Sequence, residues 1–347
     1  MSINIPCRYF LYYSISSFQS KASAAKLLTN ICNIKMSQLL DHIYIPIYGG
    51  LGDAVPALVF ASKIRTIHNL KKHQLKLIVS ETKKELLPLF KNDFSSCIFT
   101  EDKIFDSIAP LTGFQAGQVA FSTKGYIAGG ILEPLISAHS IAAHDIIKAS
   151  FKLPLTLSYE YSLSIDFKAA HKELLPFLPL LESNSKIALL FPYASHGKRI
   201  STFFWKKLAN SLTSMGFLVF TNTLNKTASL CRPHILPQYD ALPGTSPLPL
   251  SLNALCALYH KFRVHSFHSQ SGICHLTALL PAVQRTVIYH PVSIPKSHFT
   301  SSCQSNQFIT PSTSWDALGP QLQGRFTELS TNQLTKDYLK HMICHEF

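Results

Sequence analysis

Short runs of β-branched and aromatic residues alternate along this chain with longer helix-patterned stretches, strand after helix after strand. That alternation predicts an α/β protein with parallel sheets. The clearest passage is Ile43-Tyr44-Ile45-Pro46-Ile47, followed by Tyr48-Gly49-Gly50-Leu51-Gly52-Asp53 and a helix pattern over Ala54 to Ile67. A strand that ends in three closely spaced glycines and then turns helical is the first βα corner of such a domain. Glycine suits the corner because the turn asks for positive φ and because a ligand can approach bare backbone there.

The pattern continues with a strand over Leu75 to Ser80, a helix over Thr82 to Phe90 capped by Thr82, and a strand over Cys97 to Thr100. Glycines and polar residues dominate Thr112 to Gly130, which reads as loops with a short strand near Val119 to Ser122. His139 to Phe151 has the spacing of an amphipathic helix, and Tyr159 to Phe167 alternates as extended chain does. Pro176, Pro179 and the polar Glu182-Ser183-Asn184-Ser185 punctuate the sequence as a linker.

A second βα series follows. Ile187 to Phe191 reads as a buried strand, Pro192 to Arg199 as a polar loop, Thr202 to Met215 as a helix and Phe217 to Thr221 as another strand. Ser246 to Ser251 is a proline-laced loop, Leu252 to Lys261 an apolar helix and Val264 to Phe267 a strand. His268 to Gly272 then forms a turn and Ile273 to Leu280 a helix. Two such series divided by prolines predict two Rossmann-like domains facing across a cleft that takes the ligand. The expected boundaries are an extension over 1–40, a first domain over 41–175, a linker over 176–185, a second domain over 186–330 and a helix over 331–347.

At 347 residues the chain is long enough for two cores. Lys plus Arg exceed Asp plus Glu by 32 to 19, a formal net charge of +13, which favours an anionic partner such as lipid headgroups or a nucleotide. The lysines are scattered, with no zinc-finger pattern, RRM signature or basic helix, so no nucleic-acid partner is expected. No apolar run approaches the roughly eighteen residues of a membrane span, so the expectation is a soluble or peripheral protein. The eight cysteines lie far apart without a C-x-x-C pair, which suits reduced, mostly buried thiols of a cytosolic protein. His260, His265, His268 and His275 crowd together without the i, i+4 pairing of a zinc helix, and no metal is expected. Residues Met1 to Leu40 contain no acidic side chain and read either as a transit peptide or as a loosely ordered extension before a fold that begins near Ser37.

Asp53 stands at the N-cap or first turn of its helix. It is either a cap for orphan N–H groups or a carboxylate held at the sheet edge as a general base. Ser271, Gly272 and Ile273 open the last helix, where main-chain N–H groups suit a phosphate, and a serine there is equally a plain cap. His275 falls on the first turn and is either a satisfied structural residue or a ligand contact.

Three segments in order, Gly49-Gly50-Leu51-Gly52-Asp53, the loop Phe191 to Trp205, and Gln270-Ser271-Gly272-Ile273-Cys274-His275-Leu276-Thr277-Ala278, together resemble glycosyltransferase family 9, the lipopolysaccharide heptosyltransferases. The resemblance runs from about Ile43 to about Pro295. It implies a GT-B fold, a donor site in the C-terminal domain, a C-terminal helix returning to the first domain, and metal-independent, inverting sugar transfer without a cofactor. It further implies that Asp53 deprotonates the acceptor hydroxyl and that Gly49, Gly50 and Gly52 form the acceptor-side loop. Lys198 would neutralise the donor diphosphate, with Ser195, His196 and Arg199 beside it by position. Ser271, Gly272 and His275 match the donor-phosphate pattern, and Trp205 fits as the packing residue of its helix. The implied partners are a nucleotide sugar, ADP-heptose or another, and a glycolipid or saccharide acceptor of the cell envelope. The implied location is the cytoplasm, in peripheral contact with an anionic membrane.

Two departures stand out. Gln270 occupies a position where the family usually has an acidic residue, and no acidic residue occurs in Thr221 to Ser229, where a ribose contact is often found. These departures leave open a non-catalytic protein of the same fold that binds nucleotide sugar or glycolipid as a partner or regulator. A nicotinamide-dependent oxidoreductase fits less well, because Gly49-Gly50-Leu51-Gly52 does not spell G-x-G-x-x-G and only Glu81 ends the second strand with a carboxylate.

Overall fold

The apolar run Ile43–Ile47 forms strand β1, whose Ile45 and Ile47 are fully buried. The computed structural model describes residues 43–47, 51–90, 94, 97–100, 120–122, 125–128, 148, 151, 153–154, 156–192, 200–223, 240–269, 272–280, 283–290 and 326–330. The chain divides into two compact units, Met1–Tyr161 with Pro295–Gln321, and Ser162–Ile294 with Leu322–Phe347.

In the first unit helix α1 spans Leu51–Ile67, beginning three residues before the expected start. Leu75–Ser80 forms β2 and Cys97–Thr100 forms β3, as the apolar pattern predicts. Between them Glu81–Phe90 is a 3-10 helix rather than an α-helix, and Thr82 is not its cap. The Ser80 hydroxyl takes that role, accepting the Thr82 N–H at 3.2 Å. Pro88, which brings no N–H, sits inside the segment. Two short strands, β4 over Ala120–Ser122 and β5 over Gly125–Ala128, complete a sheet in the order β3-β2-β1-β4-β5. β1, β2 and β3 are parallel, while β4 runs antiparallel to β1 and β5 antiparallel to β4. β5 lies in a stretch read from sequence as loop.

In the second unit the expected linker is helical for most of its length. Helix α2 spans Phe167–Leu174, a 3-10 turn covers Leu175–Phe177, and α3 spans Leu178–Glu182. Pro176 and Pro179 open the last two of these, where a missing N–H costs nothing because first-turn donors have no helical partner. Tyr159 to Asp166 joins no strand ladder, and Phe167 already belongs to α2. Six strands follow: β6 Ile187–Phe191, β7 Leu218–Asn222, β8 Ser246–Leu248, β9 Val264–Ser269, β10 Val283–His290 and β11 Phe326–Ser330. They lie in the order β11-β10-β9-β6-β7-β8, every adjacent pair parallel. In sequence terms that order is 3-2-1-4-5-6 read from β8, the doubly wound arrangement of dinucleotide-binding domains.

Among the described residues three further helices belong to this unit: α4 Thr202–Ser214, α5 Leu252–Lys261 and α6 Ile273–Thr277. On α4 the buried residues Phe204, Trp205, Leu208, Ala209 and Leu212 recur at helical spacing. They pack on Ala188, Leu190, Val219, Phe267, Val287 and Tyr289, which alternate down four neighbouring strands. Each large side chain so removed from water contributes roughly 1.5–3 kcal/mol before entropy is counted. Trp205 is thereby the packing residue the sequence suggests, its indole edge-on to Tyr289 at 6.0 Å.

Two turn assignments from sequence are corrected. β8 occupies the start of the expected loop Ser246 to Ser251, and its Pro247 is tolerated because among the described residues this strand has a single neighbour, β7. β9 runs two residues beyond Phe267, so His268 and Ser269 belong to a strand and not to a turn. His265 and His268 therefore lie on opposite faces of β9, and the four clustered histidines do not converge. Among the described residues no three His, Cys, Asp or Glu side chains group as metal ligands do, and no helix is long and apolar enough to cross a membrane. Cys256 and Cys274 are buried free thiols and Cys97 is half-buried, with burial pushing Cys256 up to about 12. The helix expected over His139 to Phe151 falls largely outside the described residues, and the one over 331–347 wholly so.

Candidate functional site

Winding direction in the second unit reverses between β6 and β9. Chain leaving β6 goes to β7 and β8 on one side, and chain leaving β9 goes to β10 and β11 on the other. The crossovers part at the carboxyl ends of these two central strands, the point at which open α/β sheets bind their ligands.

The strand ends at this switch point are tied together. Phe191 of β6 lies in register with His268 of β9. Their rings stack with centroids 4.2 Å apart and planes 3° from parallel. One residue on, the Ser269 hydroxyl donates to the Phe191 carbonyl at 3.1 Å. His268 is fully buried, neither ring nitrogen has a partner among the described residues, and burial alone pushes the imidazole down to about 3. It is neutral at any ordinary pH. His268 reads from sequence as a turn residue; the signal for its place in the strand is the alternation Val264, Ser266, His268, which adds one more buried position on the same face.

Both donor-side segments singled out from sequence depart from this point. Pro192 leads into 193–199, which carry Ser195, His196, Lys198 and Arg199, and Ser269 leads into Gln270 and Ser271; all six of these side chains lie outside the described residues. Described structure resumes at Gly272, which has φ −64° and ψ −15°. Those torsion angles suit any residue, so the backbone turn does not require glycine here. Gly272 precedes the five-residue α6, and its carbonyl accepts the His275 N–H at 3.2 Å. His275 keeps part of its surface open, and burial lowers its imidazole to about 4, leaving it uncharged near neutrality.

The neighbouring end of β7 is filled by its own hydrogen bonds. Thr221 Oγ1 accepts the Leu242 N–H at 3.2 Å and donates to Thr245 Oγ1 at 2.5 Å, and the Thr245 hydroxyl donates to the Leu242 carbonyl at 2.8 Å. This relay is made of neutral hydroxyls and main chain.

In the first unit β1 is the central strand, flanked by parallel β2 and antiparallel β4. Its carboxyl end runs into residues 48–50, so Gly49 and Gly50 fall outside the described residues, while the main chain of Gly52 and Asp53 forms the first turn of α1. A shallow depression is lined by Phe203, Lys206, Lys207, Asn210, Ser211 and Ser214, all of them on α4.

The second unit's strand order defines the class of fold, a doubly wound parallel α/β sheet. The particular likeness is to sugar-transfer enzymes. ADP-heptose lipopolysaccharide heptosyltransferase II of E. coli is 12% identical in sequence, aligns over 87% of this chain and 97% of its own, and superposes with a TM-score of 0.51. A glycosyl transferase family 9 protein of Veillonella parvula is 12% identical over 88% of this chain and 89% of its own, with a TM-score of 0.48. An E. coli heptosyltransferase, WaaC, solved with ADP-2-deoxy-2-fluoro heptose, is 11% identical over 88% and 99%, with a TM-score of 0.45. At such identities the likeness is one of fold. The sequence matches no protein-family model and no curated protein.

Proposed function

We propose that this protein is a glycosyltransferase of the GT-B type that moves a sugar, heptose or similar, from a nucleotide donor to a saccharide of an envelope glycolipid. The observation that carries the reading is the fold shared with E. coli heptosyltransferase II, which extends over 87% of this chain. The switch point between β6 and β9 supports it, because both donor-side segments named from sequence leave from there.

In this reading transfer inverts the anomeric centre and needs no metal. Asp53 takes the proton of the acceptor hydroxyl, whose oxygen attacks the anomeric carbon as the bond to the donor diphosphate breaks on the opposite face. Negative charge then grows on the leaving diphosphate. His275, held neutral by burial, offers a hydrogen bond but no charge, so neutralisation falls to Lys198 and Arg199. Ser195, Gln270, Ser271 and the main chain at Gly272 complete the donor contacts, and Gly49, Gly50 and Gly52 let the acceptor approach the first unit's backbone. The acceptor's lipid anchors the work at the cytoplasmic face of an anionic membrane.

Turnover of ADP-heptose, UDP-sugars and GDP-sugars by the purified protein is the direct test, with Asp53→Asn as its control. The enzyme reading expects the variant to lose about 10²–10⁴-fold in kcat while nucleotides raise its melting midpoint as they do the wild type's. Gln270, uncharged where the family usually has an acid, favours a second reading, a binder without transfer. In that case nucleotides stabilise the protein, no donor turns over, and Asp53→Asn changes nothing.

A further inference from the structure

The chain leaves the first unit at Tyr161 and enters the second at Ser162. Up to that point it is strapped to α1 and to the 3-10 helix Glu81–Phe90. His68 Nε2 donates to the Phe151 carbonyl at 3.1 Å, and the Lys63 ammonium donates to the Ser158 carbonyl at 3.0 Å. The buried Tyr159 ring lies 5.7 Å from that of Phe60. Tyr161 closes the strap, its ring 4.7 Å from that of Phe90.

Beyond Ile165 the chain is clamped again, now to α5 and its cap. The Asp166 N–H donates to Asn253 Oδ1 at 2.9 Å, and Asn253 Nδ2 donates to the Asp166 carbonyl at 2.9 Å. One side-chain amide thus satisfies both main-chain groups of Asp166. The Phe167 ring meets His260 edge-on at 5.2 Å, and Glu173 accepts the N–H and the hydroxyl of Ser251 at 2.9 and 2.7 Å. Between the two clamps lie Ser162, Leu163, Ser164 and Ile165. These four join no helix or strand, and none enters a hydrogen bond, ion pair or ring contact among the described residues.

We propose that residues 162–165 are a joint about which the two units turn, and that the Asn253 carboxamide fixes where its far end lies. Each residue brings two soft torsion angles, and in these four no bond opposes a change in them. Hinges are built in this way, from a few connecting residues that absorb the torsion while the packed flanks stay rigid. The chain crosses between the units again at 294–295 and at 321–322, outside the described residues, so the joint acts in the presence of both. The inference goes beyond sugar transfer and holds equally for an enzyme and for a binder.

The test is single-molecule energy transfer in the full chain, between fluorophores carried by unnatural amino acids at the exposed positions Thr66 of α1 and Lys206 of α4. Wild type is expected to give a distance distribution broader than a rigid body allows. Two glycines inserted after Leu163 broaden it further, as does Asn253→Ala, which releases Asp166. Ser164→Pro narrows it, because proline fixes a torsion angle and here forfeits no bonded N–H. The insertion and the proline keep the wild-type melting midpoint, since neither removes a contact. The proposal is overturned if wild type holds one distance, if any of the three changes leaves the distribution as it was, or if the insertion unfolds the protein. Donor turnover is not read, so failure of the sugar-transfer reading leaves this result untouched.

Discussion

The Ser269 hydroxyl donates to the Phe191 carbonyl at 3.1 Å and so pins the ends of the two strands whose crossovers part at the switch point. Both residues are buried. Ser269→Ala removes that donor, and the expected cost is about 1 kcal/mol, the typical net worth of one such bond. Urea unfolding reads it as a lower midpoint at unchanged slope.

Acid should weaken the fold through His268. Its folded pKa, about 3, lies below the ordinary 6.5, so between these values the unfolded chain takes a proton that the folded one refuses. Stability is therefore complete above pH 6.5 and is lost as pH falls toward 3, by about 2 kcal/mol at pH 5. His275, lowered to about 4, acts in the same direction. Urea midpoints from pH 8 to 5 check this, and His268→Phe, which keeps the stack on Phe191, should flatten the decline. An unchanged pH profile in that variant would refute the assignment.

Tyr259 and Ser266 share a hydrogen bond between buried hydroxyls, joining α5 to the sheet. Tyr259→Phe strands the serine hydroxyl in the core and is expected to cost about 1–3 kcal/mol. Adding Ser266→Ala removes the stranded group, so the double variant should be more stable than the sum of the two single changes implies. A strictly additive cycle would mean the two hydroxyls do not depend on each other.

Helix α4 ends in a Schellman motif. Gly216 N–H reaches the Thr213 carbonyl at 2.9 Å, Phe217 N–H reaches that of Leu212 at 3.1 Å, and Gly216 has φ +83°. A Cβ there would meet nothing within 4 Å, so Gly216→Ala is opposed by backbone conformation alone. The expected loss is about 1–2 kcal/mol, read by thermal unfolding.

The strands β1, β2, β3 and β6 were legible because each is a compact apolar run bounded by turn residues, and α5 because a serine cap precedes its apolar pattern. β8 was hidden by Pro247, which reads as loop unless the strand is known to lie at an edge. The helical character of the expected linker was hidden by Pro176 and Pro179, which break a helix interior but suit its first turn. At the candidate site, sequence located the corners after β1, β6 and β9. It could not foresee that His268 would be packed away against Phe191, since a histidine beside Ser and Gln reads as polar turn until its neighbouring strand is known.

In both units the earliest strand among the described residues lies in the middle of its sheet, and every later one attaches to an edge already present. A nascent chain can therefore assemble each sheet outward as it leaves the ribosome. No finished pair has to open to admit a latecomer, which spares such a lobe the slow rearrangements that expose sticky intermediates.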